Sequence, residues 1–188
     1  MATLDQKLEA VPEMMLRHEF EHVIDTIDEF VARSESPHDV HPGWYVFRGA
    51  AQYLDSRFAD AISSYLQAID VDPDYTIAKV NLAYILACCP NPDFHDPILA
   101  IHFATDACEL VEWKEWHGLQ MLAAAYARAA DYSAASEYAR QAYSLAPKAH
   151  QWRVTRVIDC ICRQQPYTAS IEDDVQKLHS DWEQQLTK

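Results

Sequence analysis

The chain has 188 residues, with 15 Lys and Arg against 29 Asp and Glu, so its formal net charge is -14. That length fits one domain or one repeat array, and the 49% hydrophobic content is ample for a core. The acidity argues against nucleic acid, whose phosphates require a cationic surface, and with only three glycines (Gly43, Gly49 and Gly118) the chain carries no phosphate loop, dinucleotide fingerprint or nucleophile elbow.

The opening stretch MATLDQKLEA lacks a basic segment followed by an apolar run, so no secretory signal is expected. No segment approaches the roughly 18 apolar residues that span a bilayer. The cysteines are Cys88, Cys89, Cys108, Cys160 and Cys162, an odd set without a framework spacing. They read as small buried residues on helices in a reducing compartment, which predicts a cytoplasmic protein.

Residues 3–36 read as a degenerate helical hairpin. Leu4, Leu8 and Val11 form a remnant helix interrupted by Pro12, and Phe20, Val23, Ile27 and Phe30 form the stripe of the second. Residues 42–75 follow as a full hairpin with Ala61, Tyr65, Ala68 and Pro73 in its second half. Residues 76–115 form another, whose halves are separated by CPNPDFHDP, where three prolines forbid a regular helix. In 116–149, Leu119, Leu122, Ala123 and Tyr126 share one helical face. Asp131 stands where it can cap the next helix. Tyr132, Ala135, Ala139, Ala142 and Leu145 make the second stripe, and Pro147 ends it. Residues 150–165 read as an amphipathic capping helix, and 168–187 as a further helix with Ile171, Val175, Leu178 and Trp182 on one side.

These segments repeat. A shift of 74 residues places Phe58 on Tyr132, Ala61 on Ala135, Ala68 on Ala142 and Pro73 on Pro147. Ala83 aligns with Ala123 at an offset of 40, and Ala100 with Ala135 at 35; the difference is a five-residue insertion in the proline-rich stretch. The period is about 34 residues with two helices per unit. Alanine at matched positions lets two helices approach closely.

This pattern resembles the tetratricopeptide repeat, with small residues at Gly49, Ala61 and Ala68 in the unit from Pro42, and at Ala123, Ala135 and Ala142 in the unit from Trp116. The middle unit has Ala83, Ala100 and Ala107, with Glu112 where proline is expected, and resembles the bacterial variant with an insert in one repeat. The resemblance covers 42–149. It implies an all-α, right-handed solenoid of helix-turn-helix repeats over 1–188, ended by the capping helix that a bare last repeat requires. It also implies a non-catalytic scaffold or adaptor that binds a peptide or helix of a partner protein in a concave groove, with no cofactor, nucleic acid or membrane. The groove positions are Val46, Ala50 and Tyr53 in the first full unit, Ile77, Val80, Asn81 and Tyr84 in the second, and His117, Gln120, Ala124 and Arg128 in the third. Of the chaperone-tail clamp of this family only Asn81 matches; Val46, Ala50, His117 and Met121 occupy other clamp positions, so no acidic-tail clamp is expected.

Two other readings compete. His18-Glu19-Phe20-Glu21-His22 matches HExxH, in which two imidazoles one helical turn apart bind zinc and the Glu polarises its water. That is the motif of a zinc-dependent hydrolase, but no third ligand, strand or cleft accompanies it, and no metal site is assigned. The second reading is a homo-oligomer, self-associating through Trp113, Trp116, Trp152 and Trp182.

Overall fold

The computed structural model describes residues 3–175. The described residues form α-helices joined by turns and short 3-10 segments, with no β-strand among them. Contacts gather the described residues into two compact units, one holding residues 3–73 together with 170–175, the other residues 74–169.

The first unit contains α1 (Leu4–Glu9), α2 (Val11–Leu16), α3 (Phe20–Arg33), α4 (Pro42–Leu54) and α5 (Phe58–Val71). Pro12 does break the first segment: α1 stops at Glu9, and Pro12 lies in the first turn of α2, where its missing N–H costs nothing. Val11, Met15, Val23, Ile24, Ile27 and Ala51 form a buried cluster, with Phe20 packed against it. α4 and α5 approach closely where Gly49 faces the ring of the buried Tyr65. A methyl group at Gly49 would lie 2.6 Å from Tyr65 Cε1. Burial, with a contribution from Asp174, pushes the Tyr65 phenol far above its usual range.

The second unit contains α6 (Thr76–Cys88), α7 (Pro97–Leu110), α8 (Trp116–Arg128), α9 (Tyr132–Leu145) and α10 (Gln151–Cys162). The pairs α6/α7 and α8/α9 pack along their lengths; α8 also packs on α7 and α6, and α10 packs on α9. This is a repeat-like succession of packed neighbours. α4, α6 and α8 begin at Pro42, Thr76 and Trp116, the first residues of the three sequence units or the position of their first helix. Ala83, Ala100, Ala104, Ala107, Ala123, Ala135 and Ala142 are all buried.

Three hairpins turn in the same way. After α2, α4 and α8 the chain places His18, Ser56 and Ala130 in the left-handed region, at φ 60, 62 and 63°. The next amide then returns to the carbonyl five residues back: Glu19 to Met14 at 3.0 Å, Arg57 to Gln52 at 2.7 Å, Asp131 to Tyr126 at 2.9 Å. This is the Schellman closure of a helix end. Each turn delivers an aromatic (Phe20, Phe58 or Tyr132) as the first residue of the following helix. The carboxylate of Asp131 caps α9 by accepting from Ala134 N at 3.0 Å.

The α6/α7 hairpin cannot turn this way, since Cys89 is extended and Pro90 follows. Its prolines hold a 3-10 turn at Pro92–Phe94. The loop closes when Asp96 N donates to Leu86 O at 3.0 Å, while the Asp96 carboxylate caps α7. At the other end of that unit Glu112, at φ 51°, supplies the stop that proline supplies elsewhere.

The segment 150–165, expected to cap the array, contains α10 over Gln151–Cys162, which packs on α9. The proposed helix over 168–187 starts later: 166–170 are not helical, helix begins at 171, and residues 176–187 lie outside the described residues. Pro166 lacks the N–H that continuation of α10 would need. Cys88, Cys89 and Cys108 are buried, as read from the sequence, but Cys89 lies beyond α6, Cys160 is half-buried and Cys162 is exposed.

Gly118 makes the second close approach, since a methyl group there would lie 2.8 Å from Cys108 Sγ. Gly118→Ala is expected to cost about 1–3 kcal/mol of overpacking, set against the roughly 1 kcal/mol alanine gains in a helix. In the Cys108→Ala background the clash is gone and the same change becomes neutral or stabilising. Urea denaturation of the double-mutant cycle reads this coupling; strict additivity would show that the contact does not set the helix separation.

Burial, and secondarily Glu109, pushes the Cys108 thiol up to about 11 from an ordinary 9.0. Below pH 9 folded and unfolded chains both hold the proton. Between about 9 and 11 the unfolded chain releases it first, so stability falls as pH rises, by about 2–3 kcal/mol in total. The urea midpoint of the wild type is therefore expected to drop more steeply from pH 8.5 to 10.5 than that of Cys108→Ala.

Candidate functional site

In the second unit the proposed groove residues lie on the first helix of each pair. On α6, Ile77 is 55% exposed, Asn81 is half-buried, and Val80 and Tyr84 pack partly against the cluster of Ala83, Ala104, Met121 and Leu122. On α8, His117 is exposed and its ring stacks on Trp116. Gln120 donates from Nε2 to Arg153 O at 3.1 Å, which ties α8 to α10. Ala124 is fully buried.

Arg128, at the end of α8, is engaged by its own unit. Nε donates to Ala87 O at 2.7 Å, and Nη2 to Tyr167 O at 2.8 Å and Thr168 Oγ1 at 3.2 Å. The Ala169 amide donates to Cys88 O at 2.7 Å. The last carbonyls of α6 are thus satisfied from three places: Leu86 by Asp96, Ala87 by Arg128, and Cys88 by Ala169. Such carbonyls need an external donor at any helix end. Burial lowers the Arg128 guanidinium from its usual value, and among the described residues no carboxylate pairs with it.

In the first unit, Val46 and Ala50 are half-buried on α4 and Tyr53 is buried. Tyr53 Oη donates to Asp174 Oδ2 at 2.9 Å, and its ring tilts against Phe58. Asp174 therefore occupies the Tyr53 end of α4.

Sequence reading missed Arg48. Its guanidinium is buried beneath α5, donating from Nε to Ser64 Oγ at 2.9 Å, from Nη1 to Asp28 at 2.6 Å and from Nη2 to Gln67. Ser64 passes the chain of bonds to Gln52 at 2.7 Å. The available signal was position: Tyr45, Arg48 and Gln52 share the spacing of the buried stripe.

The HExxH reading required both histidines on one helix. His18 instead occupies the left-handed turn after α2, Glu19 precedes α3, and only Phe20–Arg33 is helical. The string is the turn of the first hairpin, so the two imidazoles do not share a helical face. They line an open depression of about 380 Å³ with Glu19, Phe20, Glu21, Asp25 and Asp55. Among the described residues no three His, Cys, Asp or Glu gather closely enough to hold a metal ion.

Of the four tryptophans read as a self-association surface, Trp113 and Trp152 are exposed and Trp116 is buried. Trp116 is flanked by His117 and His150, Trp113 stacks on Tyr138, and Trp182 lies outside the described residues. No helix among the described residues is long and apolar enough to cross a membrane. Compared with protein-family models and with curated proteins, the sequence matches neither.

Electrostatics also tie α6 to α7. The Lys79 ammonium is largely buried and meets Asp106 Oδ2 at 3.2 Å, with His102 Nδ1 at 3.6 Å from the same carboxylate. Asp106→Asn leaves a buried cation without its counter-charge and is expected to cost about 1–3 kcal/mol. Adding Lys79→Met should recover most of that, because it removes the buried cation left without a counter-charge, while the partly exposed amide at position 106 can turn to water. Thermal melts of the single and double variants check it.

Proposed function

We propose that the chain is a non-catalytic protein-interaction module, a tetratricopeptide-like right-handed solenoid that recruits a partner protein to the first helices of its repeats. The observation that carries this reading is the register. Helix pairs begin at the sequence-repeat positions, small residues fall at the helix contacts, and the first helix α6 keeps an exposed Ile77 beside half-buried Val80, Asn81 and Tyr84. Side chains of this size and polarity leave room for an extended segment or a helix. The reading rests on likeness of pattern, which assigns a class and not a partner. Within it, the protein is cytoplasmic and works without cofactor, nucleic acid or membrane.

Photo-crosslinking tests it. A benzophenone amino acid at Ile77 or His117 is expected to trap a discrete partner from cells of the source organism, whereas the same probe at Glu137 on α9 is not. Equal trapping at all three sites, or none at any, would remove the first-helix face as the binding surface.

A further inference from the structure

The end of α6 is finished differently from those of α2, α4 and α8. Those three helices close within the hairpin, through the left-handed residue and the amide after it. α6 leaves the carbonyls of Ala87 and Cys88 to donors from elsewhere in the chain: the side chain of Arg128 and the main chain of Ala169. The chain around Ala169 is bound as a peptide ligand would be. It is not helical, and it is entered through a left-handed Gln164 followed by Pro166. Three consecutive residues are held, the Thr168 hydroxyl also accepting from Arg128 at 3.2 Å. Tyr167 accepts from Arg128 with its carbonyl, Thr168 is exposed, and Ala169 turns inward with its amide on Cys88 O. The Tyr167 ring lies against the Arg156 guanidinium at 5.6 Å. Ala169 is only 6% exposed, so a small side chain is required there. Arg128 meanwhile holds a half-desolvated cation on neutral oxygens alone among the described residues.

We infer that residues 166–169 occupy, in cis, an extended-peptide site formed by the last carbonyls of α6 and Arg128, and that a partner segment engages this site by displacing them. The ligand class follows from the contacts. It is an extended segment that offers a main-chain carbonyl to Arg128 and, two residues on, an amide to Cys88 O, with alanine or a residue of similar size at that second position. The strap then sets the threshold for binding. An attached segment acts at an effective concentration in the millimolar range for a short connection, so a trans ligand must exceed that or bind better. Each main-chain bond contributes only about 1 kcal/mol net, which keeps the exchange reversible. The inference deepens the interaction-module reading and rests on it.

The test uses the full chain and a fluorescent, end-blocked peptide of its own residues 164–171. Ala169→Pro removes the strap's donating amide. In fluorescence anisotropy the peptide is expected to bind Ala169→Pro at least tenfold more tightly than wild type, and Arg128→Ala in that background is expected to abolish the gain. Equal binding to wild type and Ala169→Pro, including none to either, would overturn the inference. A measurement on the wild type covers the case in which the proline variant fails to fold. With about 10 mM unlabelled peptide, above the strap's effective concentration, hydrogen exchange at the Ala169 amide should quicken at least tenfold; an unchanged rate also overturns it. Neither readout involves the crosslinked partner. A missing crosslink with intact peptide exchange sinks the first-helix reading alone, and a trapped partner with no peptide exchange sinks only this one.

Discussion

The separation of two packed helices is set by the side chains at their point of contact. Here those side chains are as small as they can be. Gly49 lies under the Tyr65 ring and Gly118 under Cys108, and in neither place is there room for a methyl group. Alanines continue the contact along α6 to α9. Close approach then brings the flanking stripes within reach of each other. Leu82, Leu119 and Leu122 are buried as a consequence, and about 25 cal/mol is gained for each Å² of apolar surface removed from water. Larger residues at the contact points would hold the helices apart and forfeit that burial.

Helix ends make a second demand. Close pairs need short turns, and short turns expose carbonyls. Three hairpins answer with the same six-residue closure, although none of them has glycine at the left-handed position. His18, Ser56 and Ala130 all bear that conformation, which costs a residue with a Cβ roughly 1 kcal/mol or more. Its recurrence shows that the hairpin geometry outweighs the local preference. The insert between α6 and α7 removes this solution, and the chain compensates with Asp96, Arg128 and Ala169. The feature that departs from the repeat therefore also creates the corner where Arg128 and the strap meet.

The polar interior reflects the same economy. Arg48 and Lys79 reach into packed regions, and both find acidic partners, Asp28 and Asp106. A buried charge without a partner is far more expensive than one with it. In a chain so rich in carboxylates the cations are the scarce groups, and Arg48, Lys79 and Arg128 each bridge two or more segments.

Periodicity alone determined the helix pairs between 42 and 149, their order and the unit starts at 42, 76 and 116, because the spacing of apolar and small residues is imposed by the helix itself. The Asp131 cap and the proline-broken insert were legible for the same local reason. HEFEH was not: two histidines four apart look alike in a helix and in a turn, and only the packing of Phe20 and the closure onto Met14 made it a turn. Of the groove residues, position on the first helices was readable, but their availability was not. Arg128 meets Ala87 and Tyr167, partners roughly 40 residues away in either direction. Which of several distant acceptors a side chain meets depends on how the helices stack and where the chain returns, and no local pattern records that.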